Sequence, residues 1–228
     1  MMSIEQNLDF IKNKVKLATE KSPYKNKVEI IAATKTHPFS TIFDSYKAGI
    51  RSIGENRIQE AIQKFGSFET MLDMKKRFIG HLQSNKVKKC VNVFDTIDSV
   101  HSLKLLKKIN KELEKKGKKI PILLQINING EKQKSGFMLT EKEYIIQCFD
   151  YKNVKIQGFM TIAPFTKDKS LTRRCFIQLR EFMKEVNSLI EGKKMTELSM
   201  GMSGDYEIAI EEGATQVRLG TSIFGPRG

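Results

Sequence analysis

No apolar run in the sequence approaches the roughly 20 residues that a membrane-spanning helix requires, which excludes an integral membrane protein of that kind. The opening MMSIEQNLDFIKNKVKL also lacks a secretory pattern: acidic residues come early, and no apolar stretch leads to a small-residue cleavage site. The expected address is cytoplasmic. Cysteine is scarce. Cys90, Cys148 and Cys175 are odd in number, widely spaced and free of any C-x-x-C pairing, which argues against a disulfide framework or a cysteine-rich zinc site and for reduced, packed thiols. Among the 3 histidines, His37, His81 and His101, no two stand at metal-ligand spacing, so no metal is expected. The absence of any G-K-[ST] excludes a Walker-type nucleotide loop. No linker, low-complexity tract or shift of composition divides the chain, and residues 1–228 are expected to form a single domain.

Cationic charge, by contrast, is plentiful. Lys and Arg number 40 against 26 Asp and Glu, a net charge of +14 that suits nucleic acid or an anionic ligand. The lysines are spread through the chain, as Lys12, Lys14 and Lys16, then Lys86, Lys88 and Lys89, then Lys104 through Lys119. Most stand beside apolar positions at helical spacing, the pattern of solvated helix faces more than of one phosphate-tracking surface.

The apolar pattern alternates between two periods. Ile4, Leu8, Ile11 and Val15 mark one stripe of a leading helix that Ser22 and Pro23 end. VEIIAATK (28–35) is then a short continuous apolar run, the form of a parallel strand covered on both faces, and a helix over 39–48 closes on Gly49. RSIGEN and RFIGHLQ are further strands, each leading into a helix, near Arg57 and Ser84. VFDTIDS precedes a helix with the stripe Leu103, Leu106, Ile109 and Leu113, stopped by Gly117. IPILLQINI is the most apolar strand, and Thr140 is a plausible N-cap for the helix after its polar loop. VKIQGFMTIAP leads to a helix carrying Cys175, Leu179, Phe182, Val186 and Leu189. ELSMGMS, the short helix DYEIAIEEG and a last strand QVRLGTSIFG complete the chain. About eight strands alternating with helices predict an α/β fold, a single closed (β/α)8 TIM-type barrel with an extra N-terminal helix; a doubly wound open sheet is the structural alternative.

In such a barrel the ligand site lies at the C-terminal ends of the strands. There Lys35 closes the first apolar run. Partial desolvation would favour its neutral amine as a nucleophile for a Schiff base, while the plainer reading lets its ammonium reach solvent at the rim. SMGMSGDYEIAI offers Gly201 and Gly204 for close backbone approach, the Ser203 hydroxyl, and Asp205 as a helix cap. With Gly220 and Thr221 it forms either a phosphate cup after strands seven and eight or two ordinary tight turns. Alternation turns Arg218 toward the barrel interior, where a guanidinium needs an acceptor: a cofactor ring nitrogen or a carboxylate. His81 reads either as a satisfied strand-end residue or as part of the pocket wall. An amine for an aldehyde, a cup for a phosphate and an interior arginine together fit pyridoxal 5′-phosphate (PLP).

AATKTHP around Lys35, GENRIQE from Gly54 to Glu60, FIGHLQSNK from Phe78 to Lys86, the loop ending KSGF at Phe137, GFMTIAP from Gly158 to Pro164, and LSMGMSGDYEIAIEEGATQVRLGTSIFGPR from Leu198 to Arg227 stand in one order along nearly the whole chain. Together they resemble the pyridoxal phosphate homeostasis proteins, which are similar to the barrel domain of alanine racemase. The resemblance implies an alanine racemase N-terminal-like barrel without a C-terminal β domain. It implies that Lys35 carries PLP as an internal aldimine, that Ser203, Gly220 and Thr221 bind the phosphate, and that Arg218 faces the pyridine nitrogen. Asn56, His81 and Met160 would line the pocket near the ring. Gly204 stands where the family commonly has another small or polar residue, which implies a slightly looser helix start.

A protonated guanidinium on the ring nitrogen keeps that nitrogen unprotonated and the ring a poor electron sink. The expectation is therefore a PLP-binding protein that takes part in intracellular vitamin B6 and amino-acid homeostasis without robust catalysis and without assigned catalytic residues. PLP-dependent apo-enzymes are the candidate recipients, no specific nucleic acid or membrane is expected as partner, and the expected state is a monomer. The rival readings are a PLP-dependent amino-acid racemase and a basic nucleic-acid-associated binder.

Overall fold

The computed structural model describes residues 3–65, 71–131, 133–192 and 194–226. Both ends of the 1–228 span lie outside the described residues, as do Arg227 of the closing motif and Lys132 of the loop before Phe137. The leading helix α1 (Ile4–Lys21) starts from a capping box in which Ser3 and Gln6 exchange side-chain to backbone bonds, and it ends at Ser22. After it come β1 (Glu29–Ala33), α2 (Phe39–Lys47), β2 (Ser52–Glu55), α3 (Ile58–Phe65), β3 (Lys75–Phe78), α4 (Val87–Val93) and β4 (Thr96–Val100). The second half runs α5 (Leu103–Glu114), β5 (Ile120–Gln125), α6 (Lys142–Gln147), β6 (Val154–Met160), α7 (Lys169–Leu189), β7 (Glu197–Met202), α8 (Tyr206–Glu211), β8 (Gln216–Leu219) and α9 (Thr221–Phe224). The strands pair in chain order, all parallel, and β8 closes on β1, so the barrel and not the open sheet is the fold.

Strand residues that point outward, such as Ile53, Phe78, Ile97, Leu124 and Val217, join Ile42, Ala61, Leu106, Phe176 and Ala209 of the helices in one continuous apolar layer. Burial of this layer drives closure, each of its larger aliphatic and aromatic side chains contributing about 1.5–3 kcal/mol relative to exposure. The helix α1 packs outside the barrel on α8 and α9. Asn7 Nδ2 also donates to the Ile223 carbonyl at 2.9 Å, which ties α1 to the closing turn.

The barrel interior is partly polar. Arg77, 1% exposed, donates through Nε to Ser52 Oγ at 2.8 Å, through Nη1 to Asp98 at 3.1 Å and through Nη2 to Glu29 at 2.6 Å. Thr96 Oγ1 also donates to Asp98 at 2.7 Å, so β1, β2, β3 and β4 all contribute to one ionic cluster, buried at Arg77 and Asp98 and partly open at Glu29.

Several strands stop short of the apolar runs that announce them. The run RFIGHLQ is a strand only to Phe78, and β3 begins earlier, at Lys75. Beyond Phe78 the Ile79 amide still donates to the Glu55 carbonyl at 2.9 Å, and the chain then packs tightly: a Cβ on Gly80 would lie 2.4 Å from the Asn56 carbonyl oxygen. QVRLGTSIFG is not one strand. It breaks at Gly220 into β8 and the short helix α9. At the start of α6 the N-cap position belongs to Glu141, and Thr140 lies one residue outside it, exposed.

Candidate functional site

All the residues singled out at strand ends gather at the C-terminal mouth of the barrel. Lys35 lies just past β1, Asn56 follows β2, His81 follows β3, Met160 ends β6, Ser203 follows β7, Arg218 lies in β8, and Gly220 and Thr221 open α9. Register aligns them. Ala33 pairs with Gly54, which sets Lys35 and Asn56 at the same height on adjacent strands. Ala32 pairs with Leu219 on the other side, so the β1 turn stands next to Gly220.

The turn that carries Lys35 is braced on both flanks. His37 N–H donates to the Thr34 carbonyl at 3.1 Å, closing a four-residue turn. Thr36 takes φ 69°, the left-handed region that favours glycine at that position of a type II turn. A β-branched residue there costs roughly 1–2 kcal/mol, which surrounding bonds must offset. Those bonds come from α3 and β2. Thr36 N–H donates to Glu60 Oε1 at 2.6 Å, and Lys64 Nζ donates to Glu60 Oε1 at 2.7 Å, Glu55 Oε1 at 2.9 Å and the Thr34 carbonyl at 3.0 Å. Thr34 Oγ1 donates to Glu55 Oε1 at 2.7 Å. Burial pushes the Glu55 carboxyl up, against the bonds from Lys64 and Thr34. At Glu60 burial also acts upward, but the bonds from Lys64 and the Thr36 amide outweigh it and hold that carboxyl below the ordinary range. Lys35 itself is half-buried and makes no hydrogen bond or ion pair with any described residue. The His37 ring leans on Phe224 of α9, centroids 4.4 Å apart, and so joins this turn to the closing one.

The two closing turns meet at Ser203. Its Oγ accepts from the Gly220 amide at 3.3 Å and the Ser222 amide at 3.2 Å. These amides open α9 and have no partner within the helix, the arrangement that also receives anionic oxygens. Gly201 has φ 95°, and a Cβ there would lie 2.7 Å from Ala209 Cβ and 3.0 Å from Tyr206 Cα, so only glycine lets β7 run up against α8. Gly204 faces open space instead, and its predicted close approach is not found. Asp205 holds the N-cap position of α8 without bonding a helix amide. Its Oδ1 accepts the Met202 amide at 2.6 Å, because the carboxylate turns back into the β7 turn, not forward along the helix.

Arg218, 6% exposed, spends part of its fork on the protein: Nη1 donates to the Ser199 carbonyl at 2.8 Å and Ser199 Oγ at 2.9 Å, and Nη2 to the Thr161 carbonyl at 2.8 Å. Among the described residues no carboxylate bonds it. Burial pushes the guanidinium down to about 10, with Asp98 and Asp205 acting the other way, so it is cationic at neutral pH. Met160, 1% exposed, pairs with Ser199 of β7. His81 stands at the exposed rim, stacked on His101 with ring centroids 4.6 Å apart, and its Nδ1 lies 3.1 Å from Ser135 Oγ.

The sequence matches the family model described as alanine racemase, N-terminal domain, over residues 6–228. The pyridoxal phosphate homeostasis protein of Haemophilus influenzae is 33% identical over 232 residues, which span 99% of this chain and 97% of that protein. This chain belongs to the pyridoxal phosphate homeostasis protein family. Among solved structures, PipY of Synechococcus elongatus superposes with a TM-score of 0.90 in the form without PLP and 0.87 in the form with PLP bound. The identity to PipY is 34%, over 98% of this chain and 100% of PipY. Alanine racemase of Clostridium difficile shares the fold at a TM-score of 0.72 and 17% identity, over 97% of this chain and 56% of the racemase.

Membership of the pyridoxal phosphate homeostasis family implies PLP, and the mouth of this barrel fits it chemically. Lys35 offers an amine that no described group engages, and Asn56 Oδ1 is a buried acceptor without a hydrogen-bond partner among the described residues. The Ser203 hydroxyl with the Gly220 and Ser222 amides suits a phosphate, and Arg218 keeps part of its donor fork uncommitted. Sequence reasoning missed several groups that hold these residues: Thr161 under Arg218, the Ser222 amide, His101 beside His81, and the pair Glu60 and Lys64 at the Lys35 turn. Only the last left a readable signal, a Glu60 to Lys64 pair four residues apart on a predicted helix.

Proposed function

We propose that this protein binds PLP at the C-terminal mouth of the barrel, holds it as a Schiff base on Lys35, and takes part in intracellular vitamin B6 and amino-acid homeostasis as a holder and not a robust catalyst. The observation that carries the reading is the convergence, on neighbouring strand ends, of a half-buried lysine and a buried Asn56 oxygen that no described residue engages, with a hydroxyl-and-amide cup. PLP, when bound, supplies an aldehyde to an amine and an electron-accepting ring to the carbon beyond it. Lys35 would hold the cofactor through its Nζ, which as the neutral amine would condense with the aldehyde, the oxygen leaving as water with the two amine hydrogens. Ser203, Gly220 and Thr221 hold the phosphate, while Asn56, His81 and Met160 border the ring. Arg218 is cationic at neutral pH and has donors to spare, so it supports an unprotonated ring nitrogen and weak carbanion stabilisation. The setting is a cytoplasmic monomer, with PLP-dependent apo-enzymes as recipients.

An absorbance spectrum of the purified protein, before and after Lys35→Ala, tests the reading. Wild type shows the band of a protonated Schiff base; the variant loses it. Borohydride reduction followed by peptide mapping then recovers a pyridoxyl group on Lys35, and recovery of that adduct only on other lysines overturns the assignment.

A further inference from the structure

We propose that Lys64, gripped by Glu55 and Glu60, is a positioning residue that sets the backbone on both sides of Lys35 and thereby the approach of its amine to a bound aldehyde. The inference rests on the reading of Lys35 given above and goes beyond it, since none of these groups is assigned to the cofactor.

The geometry is specific to that turn. Lys35 stands between Thr34 and Thr36, and each neighbour is fastened to the same cluster from outside the barrel. The Thr34 carbonyl takes a bond from Lys64 Nζ, the Thr34 hydroxyl bonds Glu55, and the Thr36 amide bonds Glu60. The side chain of Lys64 is only 10% exposed, and that of Glu55 is 0% exposed. One Glu55 oxygen, Oε2, has no hydrogen-bond partner among the described residues, so the cluster is not arranged for maximal satisfaction of its charges. A buried ionic cluster of this kind is matched or exceeded in stability by apolar packing, and its attested use is to select one geometry. Here the geometry selected is a turn with a threonine in the left-handed region, which the chain does not favour unaided. Helix α3 reaches past its own strand β2 to the turn after β1, so the position of α3 is transmitted to the lysine. Displacement of a reacting group by about 1 Å is enough to slow a reaction by orders of magnitude.

The test separates positioning from binding. Full-length protein stripped of cofactor is mixed with PLP, and the growth of the Schiff-base band is timed. In parallel its affinity is measured for pyridoxine 5′-phosphate, which carries the same phosphate and ring but no aldehyde and cannot condense. Lys64→Met is expected to slow condensation about tenfold or more while leaving pyridoxine 5′-phosphate affinity within about twofold. Amide exchange over residues 34–37 of the cofactor-free variant should be faster than in wild type. Glu60→Ala, at a more exposed position that leaves the Glu55 and Lys64 pair intact, gives the same pattern to a smaller degree, and Lys64→Arg restores part of the rate. Condensation at the wild-type rate in both Lys64→Met and Glu60→Ala overturns the proposal. So does a parallel loss of rate and of pyridoxine 5′-phosphate affinity, which would mark the cluster as support for the whole site. If wild type yields no reducible adduct on Lys35, the reading of Lys35 fails first, and that result is in hand before any variant is compared.

Discussion

Individual side chains here behave according to how much water they keep. The three cysteines are free and buried, and burial raises every thiol: Cys175 to about 11, Cys148 to about 12, and Cys90 further still. Thiolate is the reactive form, so native protein is expected to resist a thiol reagent at neutral pH and to release all three thiols once denatured. Rapid labelling of the folded protein would contradict the packing of Cys90, Cys148 and Cys175. His101 behaves in the opposite sense. Burial and then the neighbouring His81 push its imidazole below the usual 6.5, against a bond to the Ser99 carbonyl. The unfolded chain therefore takes up a proton before the folded one does, and stability is lost as pH falls from about 6.5 toward the depressed value. The melting temperature of wild type should drop more steeply on acidification than that of His101→Phe, which keeps a ring for the stack and cannot titrate. Parallel curves for the two proteins would dismiss the effect.

Among secondary elements, the closing turns show how narrowly the cup is built. Gly201 sits in the left-handed region with Ala209 and Tyr206 of α8 against it, while Gly204 faces open space. Gly201→Ala combines an unfavourable φ with a clash to backbone and Cβ atoms, and is expected to cost about 2–4 kcal/mol in urea unfolding and to weaken PLP binding through Ser203. Gly204→Ala, three residues along, is expected to be neutral or slightly stabilising. Equal effects of the two substitutions would show that the contact between β7 and α8 does not shape the cup. The helix α9 belongs to the same construction. Its amides exist as donors only because the last apolar run leaves the sheet at Gly220.

In the molecule as a whole, two buried arginines organise the barrel interior, one for stability and one at the site. Arg77 joins β1 through β4 by way of Glu29, Ser52 and Asp98. Arg77→Met leaves Asp98, which is fully buried, with the Thr96 hydroxyl as its remaining hydrogen bond among the described residues, and should cost about 3–5 kcal/mol. The double replacement Arg77→Met with Asp98→Leu should recover much of that loss, since the penalty arises chiefly from the unpaired charge. Chemical unfolding of the single and double variants measures both numbers, and additive losses would refute the pairing. Net charge has less bearing on the site. The lysines of α5, such as Lys104, Lys107, Lys108 and Lys111, are exposed on an outer helix face, as their spacing beside the apolar stripe indicates.

The alternation of short apolar runs with helical stripes determined a parallel α/β fold by itself, because a parallel strand covered on both faces and an amphipathic helix each carry their period in consecutive residues, while the pairing of β8 with β1 decided for the barrel over the open sheet. For the same reason the leading helix, with Leu8 and Ile11 buried and its end at Ser22, is legible in the sequence. The motif positions also fixed which residues stand at strand ends. Where the strands stop was decided only in three dimensions. The breaks after Phe78 and at Gly220 depend on Asn56 packed beneath Gly80 and on Ser203 Oγ holding amides on the next turn, contacts between residues far apart in the chain. The partners of Arg218 and the grip of Lys64 on the turn of Lys35 were hidden likewise, because a hydrogen bond to a backbone carbonyl leaves no mark on the identity of the residue that provides it.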